Sequence, residues 1–130
     1  MIEIQKWNEH KELYFNNEIF KTIMLNDAAL DGINFNSSIS FNNCKIEIIG
    51  GAVILLKKKV TLINCKINRI AMNGVHFIGG LEMIKCSVKL PSEFDATDAN
   101  SGFIIGSCIF EGYIDFFDSF FEGGSENNKQ

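Results

Sequence analysis

Apolar and polar side chains alternate with a period of two in short bursts, and the bursts recur 21 residues apart. Ile39-Ser40-Phe41 is followed by Val60-Thr61-Leu62 and Leu81-Glu82-Met83, then, after one extra residue, by Phe103-Ile104-Ile105. A second column reads Cys44-Lys45-Ile46, Cys65-Lys66-Ile67, Cys86-Ser87-Val88 and Cys108-Ile109-Phe110. A third reads Ile33-Asn34-Phe35, Ile54-Leu55-Leu56 and Val75-His76-Phe77. Pairs suited to tight corners separate the columns: Ser37-Ser38, Lys58-Lys59, Gly79-Gly80 and Ser101-Gly102. Carried backwards at the same step, the pattern places Ile23-Met24-Leu25 before the first cysteine triplet and Ile2-Glu3-Ile4 before that. It also sets Phe20 before Phe41 and Tyr14 before Phe35. Period two is the strand period. Short strands recurring at a fixed spacing predict a chain whose strands pair in parallel with their equivalents one repeat later.

These columns resemble the single-stranded right-handed parallel β-helix of the pectin-lyase-like superfamily. The resemblance implies an all-β fold, a right-handed parallel β-helix of about five turns with 21–22 residues and three short strands per turn, capped at both ends. The stretch "NDAALDGINF" at 26–35 is similar to pentapeptide-repeat proteins, but the two-residue corners and the 21/22 step depart from strict five-residue units. One β-helix domain is expected over residues 1–122. Residues 5–14 are expected as either a short helical N-terminal cap, because Ile4, Trp7, Lys11 and Tyr14 fall at near-helical spacing, or an irregular corner loop. Residues 111–122, with Phe116, Phe117, Phe120 and Phe121, are expected as a C-terminal lid, and 123–130 as a frayed tail. Residues 90–102, with Pro91, make the longest corner.

A chain of 14.6 kDa with 46% hydrophobic and 22% charged residues fits one soluble globular domain. Its longest unbroken apolar run, Ala52 to Leu56, is far below the roughly 20 residues that span a bilayer. No apolar leader stretch is visible near the start, so a cytoplasmic location and no membrane partner are expected. Charge divides unevenly. Residues 1–92 hold 8 acidic and 11 basic side chains, a net +3, whereas 93–130 hold 8 acidic side chains and only Lys129, a net −7. No basic face dominates the whole, which argues against a nucleic-acid partner.

The four cysteines do not read as a zinc site. Stacked on strands about 4.8 Å apart they would form a line of roughly 14 Å, not a tetrahedron. Without a secretory leader a disulfide is disfavoured too. The thiols are expected as small buried side chains filling one corner, with Phe20, Phe35, Phe41 and Phe77 as core. No metal and no cofactor is expected. Asp95, Asp98, Asp115 and Asp118 were weighed as a glycosidase-type acid pair, but the only cation after Lys89 is Lys129. His76 has no nucleophile column beside it, so no catalytic residue is assigned.

Outward positions carry more information. Lys45 and Lys66 stack on one face, and Lys57, Lys58 and Lys59 crowd one corner. Ile104, Ile109 and Tyr113 would form an apolar patch beside the acidic end, so the candidate partner interface is Asp95, Asp98, Ile104, Ile109, Tyr113, Asp115 and Asp118. The expectation is a non-catalytic protein-binding module, an immunity protein or inhibitor that occludes a toxin or enzyme, with a basic protein partner or self-association. Two alternatives stand beside it: a self-assembling, bactofilin-like structural protein and a carbohydrate-active protein.

Overall fold

Strands form where two-residue alternation coincides with β-branched and aromatic residues, and they end where an Asn, Gly or Lys accepts a left-handed backbone. The computed structural model describes residues 2–89, 92–93, 103–104, 109–110, 114–115 and 119–121. A 3-10 helix spans Ile4–Glu9 and a second spans Leu25–Ala28. The strands are β1 (Glu12–Asn16), β2 (Ile19–Met24), β3 (Asn34–Phe35), β4 (Ser38–Asn42) and β5 (Lys45–Leu56). They continue with β6 (Val60–Ile63), β7 (Lys66–Phe77), β8 (Leu81–Ile84), β9 (Ser87–Val88) and β10 (Ser92–Glu93). Last come β11 (Phe103–Ile104), β12 (Ile109–Phe110), β13 (Ile114–Asp115) and β14 (Phe120–Phe121).

All of the pairings are parallel, and they build two sheets. The five-stranded sheet runs β1-β4-β6-β8-β13; the nine-stranded sheet runs β11-β10-β7-β5-β2, with β3, β9, β12 and β14 paired to its side. This corrects the predicted right-handed parallel β-helix with three short strands per turn: among the described residues two parallel sheets form, and no closed solenoid does. The cause lies in β5 and β7. Their cysteine-following triplets and their Ile54–Leu56 and Val75–Phe77 triplets were expected as separate strands, yet each pair runs on as one strand of 12 residues. A left-handed residue, Val53 (φ 50) in one and Gly74 (φ 66) in the other, bends the strand without ending it. Gly50 and Gly51 also lie inside β5. A Cβ at Gly50 would sit 2.6 Å from the Ala71 carbonyl oxygen.

The register shows where the repeat holds and where it fails. Ile39 pairs with Val60 and Val60 with Leu81, and Ile46 pairs with Ile67, all at 21 residues. The first step is 26, since Phe15 pairs with Phe41 and Phe20 with Ile46. An odd difference from the expected 21 exchanges the two faces of a strand. Leu13 and Phe15 therefore enter the core, and Tyr14, expected there, is 66% exposed. Neither Ile2-Glu3-Ile4 nor Leu25 continues the strand pattern, as both belong to the 3-10 segments or their approach. At the other end, Leu81 pairs with Ile114 and Ser87 with Phe120, a step of 33. Ser119 accordingly lies one level beyond Cys86, and Cys108, expected there, lies outside the described residues. Its hydroxyl donates to the Met83 carbonyl at 3.0 Å and accepts from the Cys86 amide at 3.3 Å.

The core between the sheets is aliphatic and aromatic. Phe35, Phe41, Leu56 and Phe77 are fully buried, each worth about 1.5–3 kcal/mol of transfer free energy. The N-terminal 3-10 helix covers one end of it. Trp7 packs 5.0 Å from Phe15 and 6.2 Å from Phe41, and meets Phe20 edge-on at 6.3 Å. The buried Ser37 hydroxyl ties this cover down by donating to the Trp7 and His10 carbonyls.

Two corners use left-handed backbone at several levels, and Gly80 (φ 94) uses it at a single level of a third, between β7 and β8. Asn17, Asn43, Asn64 and Lys85 (φ 52 to 59) carry the chain from the five-stranded to the nine-stranded sheet. The three asparagines donate their backbone N–H groups to the next level, Asn17 to Asn42 at 3.0 Å, Asn43 to Ile63 at 2.9 Å and Asn64 to Ile84 at 2.8 Å. Side-chain amides link the same corner, with Asn64 donating to Asn43 at 2.6 Å and Asn43 to Asn16 at 3.0 Å. The second corner holds Gly32, Val53 and Gly74. There the Asn26 amide substitutes for a missing strand, accepting from the Ala52 N–H at 2.8 Å and donating to the Ala52 and Gly32 carbonyls.

Candidate functional site

Alternation along the nine-stranded sheet sends Phe20, Ile46, Ile67 and Val88 into the core. Their neighbours in the chain face outward. In register, Ile19, Lys45, Lys66 and Ser87 form one outward row across β2, β5, β7 and β9. Two residues further along the same strands lie Lys21, Glu47, Asn68 and Lys89. These rows line an open groove of ≈ 510 Å³. Four lysines and one glutamate give it a net charge of +3.

Neighbouring parallel strands lie about 4.8 Å apart, so Lys45 and Lys66 stand side by side with like charge. That repulsion is modest in water, about 1 kcal/mol at 4 Å, and the long stems can splay. Among the described residues, neither the four groove lysines nor Glu47 enters an ion pair; Lys59 and Glu82, 3.4 Å apart, form one on the other sheet. Ile19, 73% exposed, adds an apolar contact at the groove's edge. The groove thus presents cations, one carboxylate, an amide and a hydroxyl over aliphatic stems. Among the described residues no thiol or imidazole lines it.

The three described cysteines point away from this surface. Cys44, Cys65 and Cys86 are buried and unbridged. Each thiol lies against two backbone carbonyls, such as Phe41 and Ile63 for Cys65 at 3.3 and 3.4 Å. Burial pushes the Cys44 thiol above the ordinary range. The neighbouring Cys86 sulfur, together with burial, does the same to Cys65. Cys44 and Cys65 are therefore poor nucleophiles, whereas the Cys65 side chain draws the Cys86 thiol below its ordinary range. Among the described residues no cluster of three His, Cys, Asp or Glu side chains gathers to hold a metal.

Of the residues expected at a partner interface, Asp95, Asp98, Tyr113 and Asp118 lie outside the described residues. The backbone of Ile104 pairs with Glu93 and that of Ile109 with His76, both on the nine-stranded sheet. Asp115 pairs with Glu82 on the five-stranded sheet. The expected patch is therefore divided between two sheets. His76, read as an outward surface residue, stands half-buried beside Leu55. Lys45 and Lys66 were legible as a stack. Lys21 was not, because the 26-residue step hides its alignment with Glu47; nor was Lys89, which lies just past a two-residue strand.

No family model matches the chain, and no curated protein and no solved structure matches it either. Neither resemblance gains support from them. Among the described residues no helix is long and apolar enough to cross a membrane.

Proposed function

We propose that this chain is a non-catalytic protein-binding module, of the kind that acts as an immunity protein or inhibitor by covering a toxin or enzyme. The observation that supports this reading is the open, lysine-lined groove on a parallel sheet. Strand backbone holds its side chains at fixed spacing, and its lining offers charge and apolar contact but no nucleophile–base pair. The buried, unbridged thiols suit a reducing compartment, which favours a cytoplasmic setting. Self-assembly through the sheet ends draws less support, because the Trp7 segment covers one end of the core. To test the module reading, a photo-crosslinking residue is placed at Asn68 in the groove and, as control, at exposed Lys58. In extract of the source cells the first should capture one discrete protein whose activity the purified chain then suppresses. Equal capture at both positions, or none, counts against the reading.

A further inference from the structure

The groove's charges do more than mark a surface; their arrangement selects a ligand chemistry. Lys45 and Lys66 sit side by side, and Lys21 and Lys89 sit at the two ends of the adjacent row, with Glu47 between Lys21 and Asn68. Among the described residues none of the four lysines has an ion-pair partner. A uniformly anionic polymer laid across these rows would set one of its charges against Glu47. A polypeptide need not do so, because it can place an acid, an amide or an apolar side chain at each step. Ile19, 73% exposed at the end of the Lys45 row, further requires an apolar side chain to cover it.

From this charge complementarity we infer that the groove binds an acidic polypeptide segment of a protein partner, carboxylates on Lys45 and Lys66 and an apolar side chain on Ile19. This rests on the binding-module reading above and reverses the sign of partner expected from sequence, since the described basic surface, and not the acidic end, makes the contact.

The test uses the full chain and an eight-residue fluorescent peptide alternating Glu and Leu, with a Lys–Leu peptide and a single-stranded oligonucleotide as comparison probes. The Glu–Leu peptide should bind, and raising salt from about 50 to 200 mM should weaken it. The exposed double substitution K45E/K66E should lower affinity about tenfold or more while circular dichroism and unfolding midpoint stay unchanged. Equal binding by the double variant, or no binding of the peptide, overturns the inference. So does tighter binding of the oligonucleotide, or self-association at low salt that K45E/K66E abolishes. If Ile19→Ser weakens binding of the Lys–Leu peptide and K45E/K66E does not, the groove remains a binding surface and the acidic ligand alone is refuted. Loss of crosslinking at Asn68 with acidic-peptide binding intact would refute the module reading separately.

Discussion

The two left-handed corners solve the same backbone problem with opposite chemistry. At the first, asparagine tolerates positive φ because its short amide finds hydrogen bonds, and here those bonds run from level to level, Asn64 to Asn43 to Asn16. At the second, glycine at 32 and 74 removes the steric problem, and Val53 between them does not. A β-branched residue at φ 50 is an outlier by sterics. It persists because the strand on either side is fixed: Ala52 pairs with Asn73 and Ile54 with Val75. One corner is thus stabilised by its side chains and the other strained by one. A parallel stack tolerates a poor residue at one level when its neighbours above and below are well held.

Substitutions break or sharpen this comparison. The largest effect is expected at a corner where neither strategy has slack. A Cβ on Gly79 would sit 2.1 Å from the Lys58 carbonyl carbon, so Gly79→Ala should destabilise by about 3 kcal/mol or more, read as a lowered urea midpoint. Next comes Asn43→Ala, which removes two side-chain hydrogen bonds and puts alanine at φ 55. Its expected cost is about 2 kcal/mol. Asn43→Gly keeps the backbone relaxed and should cost about half as much, separating the amide bonds from the backbone preference.

Val53→Gly should move stability the other way. Relief of left-handed strain, less the entropy that glycine adds to the unfolded chain, predicts a gain of about 0.5–1 kcal/mol and a higher thermal midpoint. A loss there would mean that Val53, 68% exposed, is held by contacts worth more than its strain.

The smallest effect concerns the approach to Gly32. Asp31 accepts from the Ile33 and Asn34 backbone amides and from the Asn34 side chain. Led by the Asn34 amide, these bonds lower its pKa from 3.8 to about 2. A carboxyl whose pKa is lower in the folded state stabilises above the unfolded value and loses that contribution as pH falls through the folded one. The gap in urea midpoint between wild type and Asp31→Asn should therefore be constant above about pH 5 and close as pH drops from 3.8 to about 2. A gap unchanged across that range would show that the turn does not depend on the charge.

Much of the middle of the molecule was legible because its apolar columns repeat without insertion: Phe41, Leu62 and Met83 align, as do Cys44, Cys65 and Cys86. The ends were not. Five extra residues at the first step and the jump to 33 at the last both preserve an alternating pattern, so a shifted alignment looks as good as the true one until the faces are seen. Tyr14 was misplaced for that reason, and Cys108 lies outside the described residues. The merging of triplets into 12-residue strands was hidden because Val53 carries no glycine-like signal of a bend. Half of the groove could be read from Lys45 and Lys66, whose strands keep the regular step; Lys21 and Lys89 needed the irregular ones.

Trp7 has a consequence for synthesis. Its contacts are Phe15, Phe20 and Phe41, and the hydroxyl that anchors its segment belongs to Ser37. The indole has no place to go until the chain through Phe41 has left the ribosome. Until then a nascent chain carries its largest aromatic side chain without its full set of packing partners.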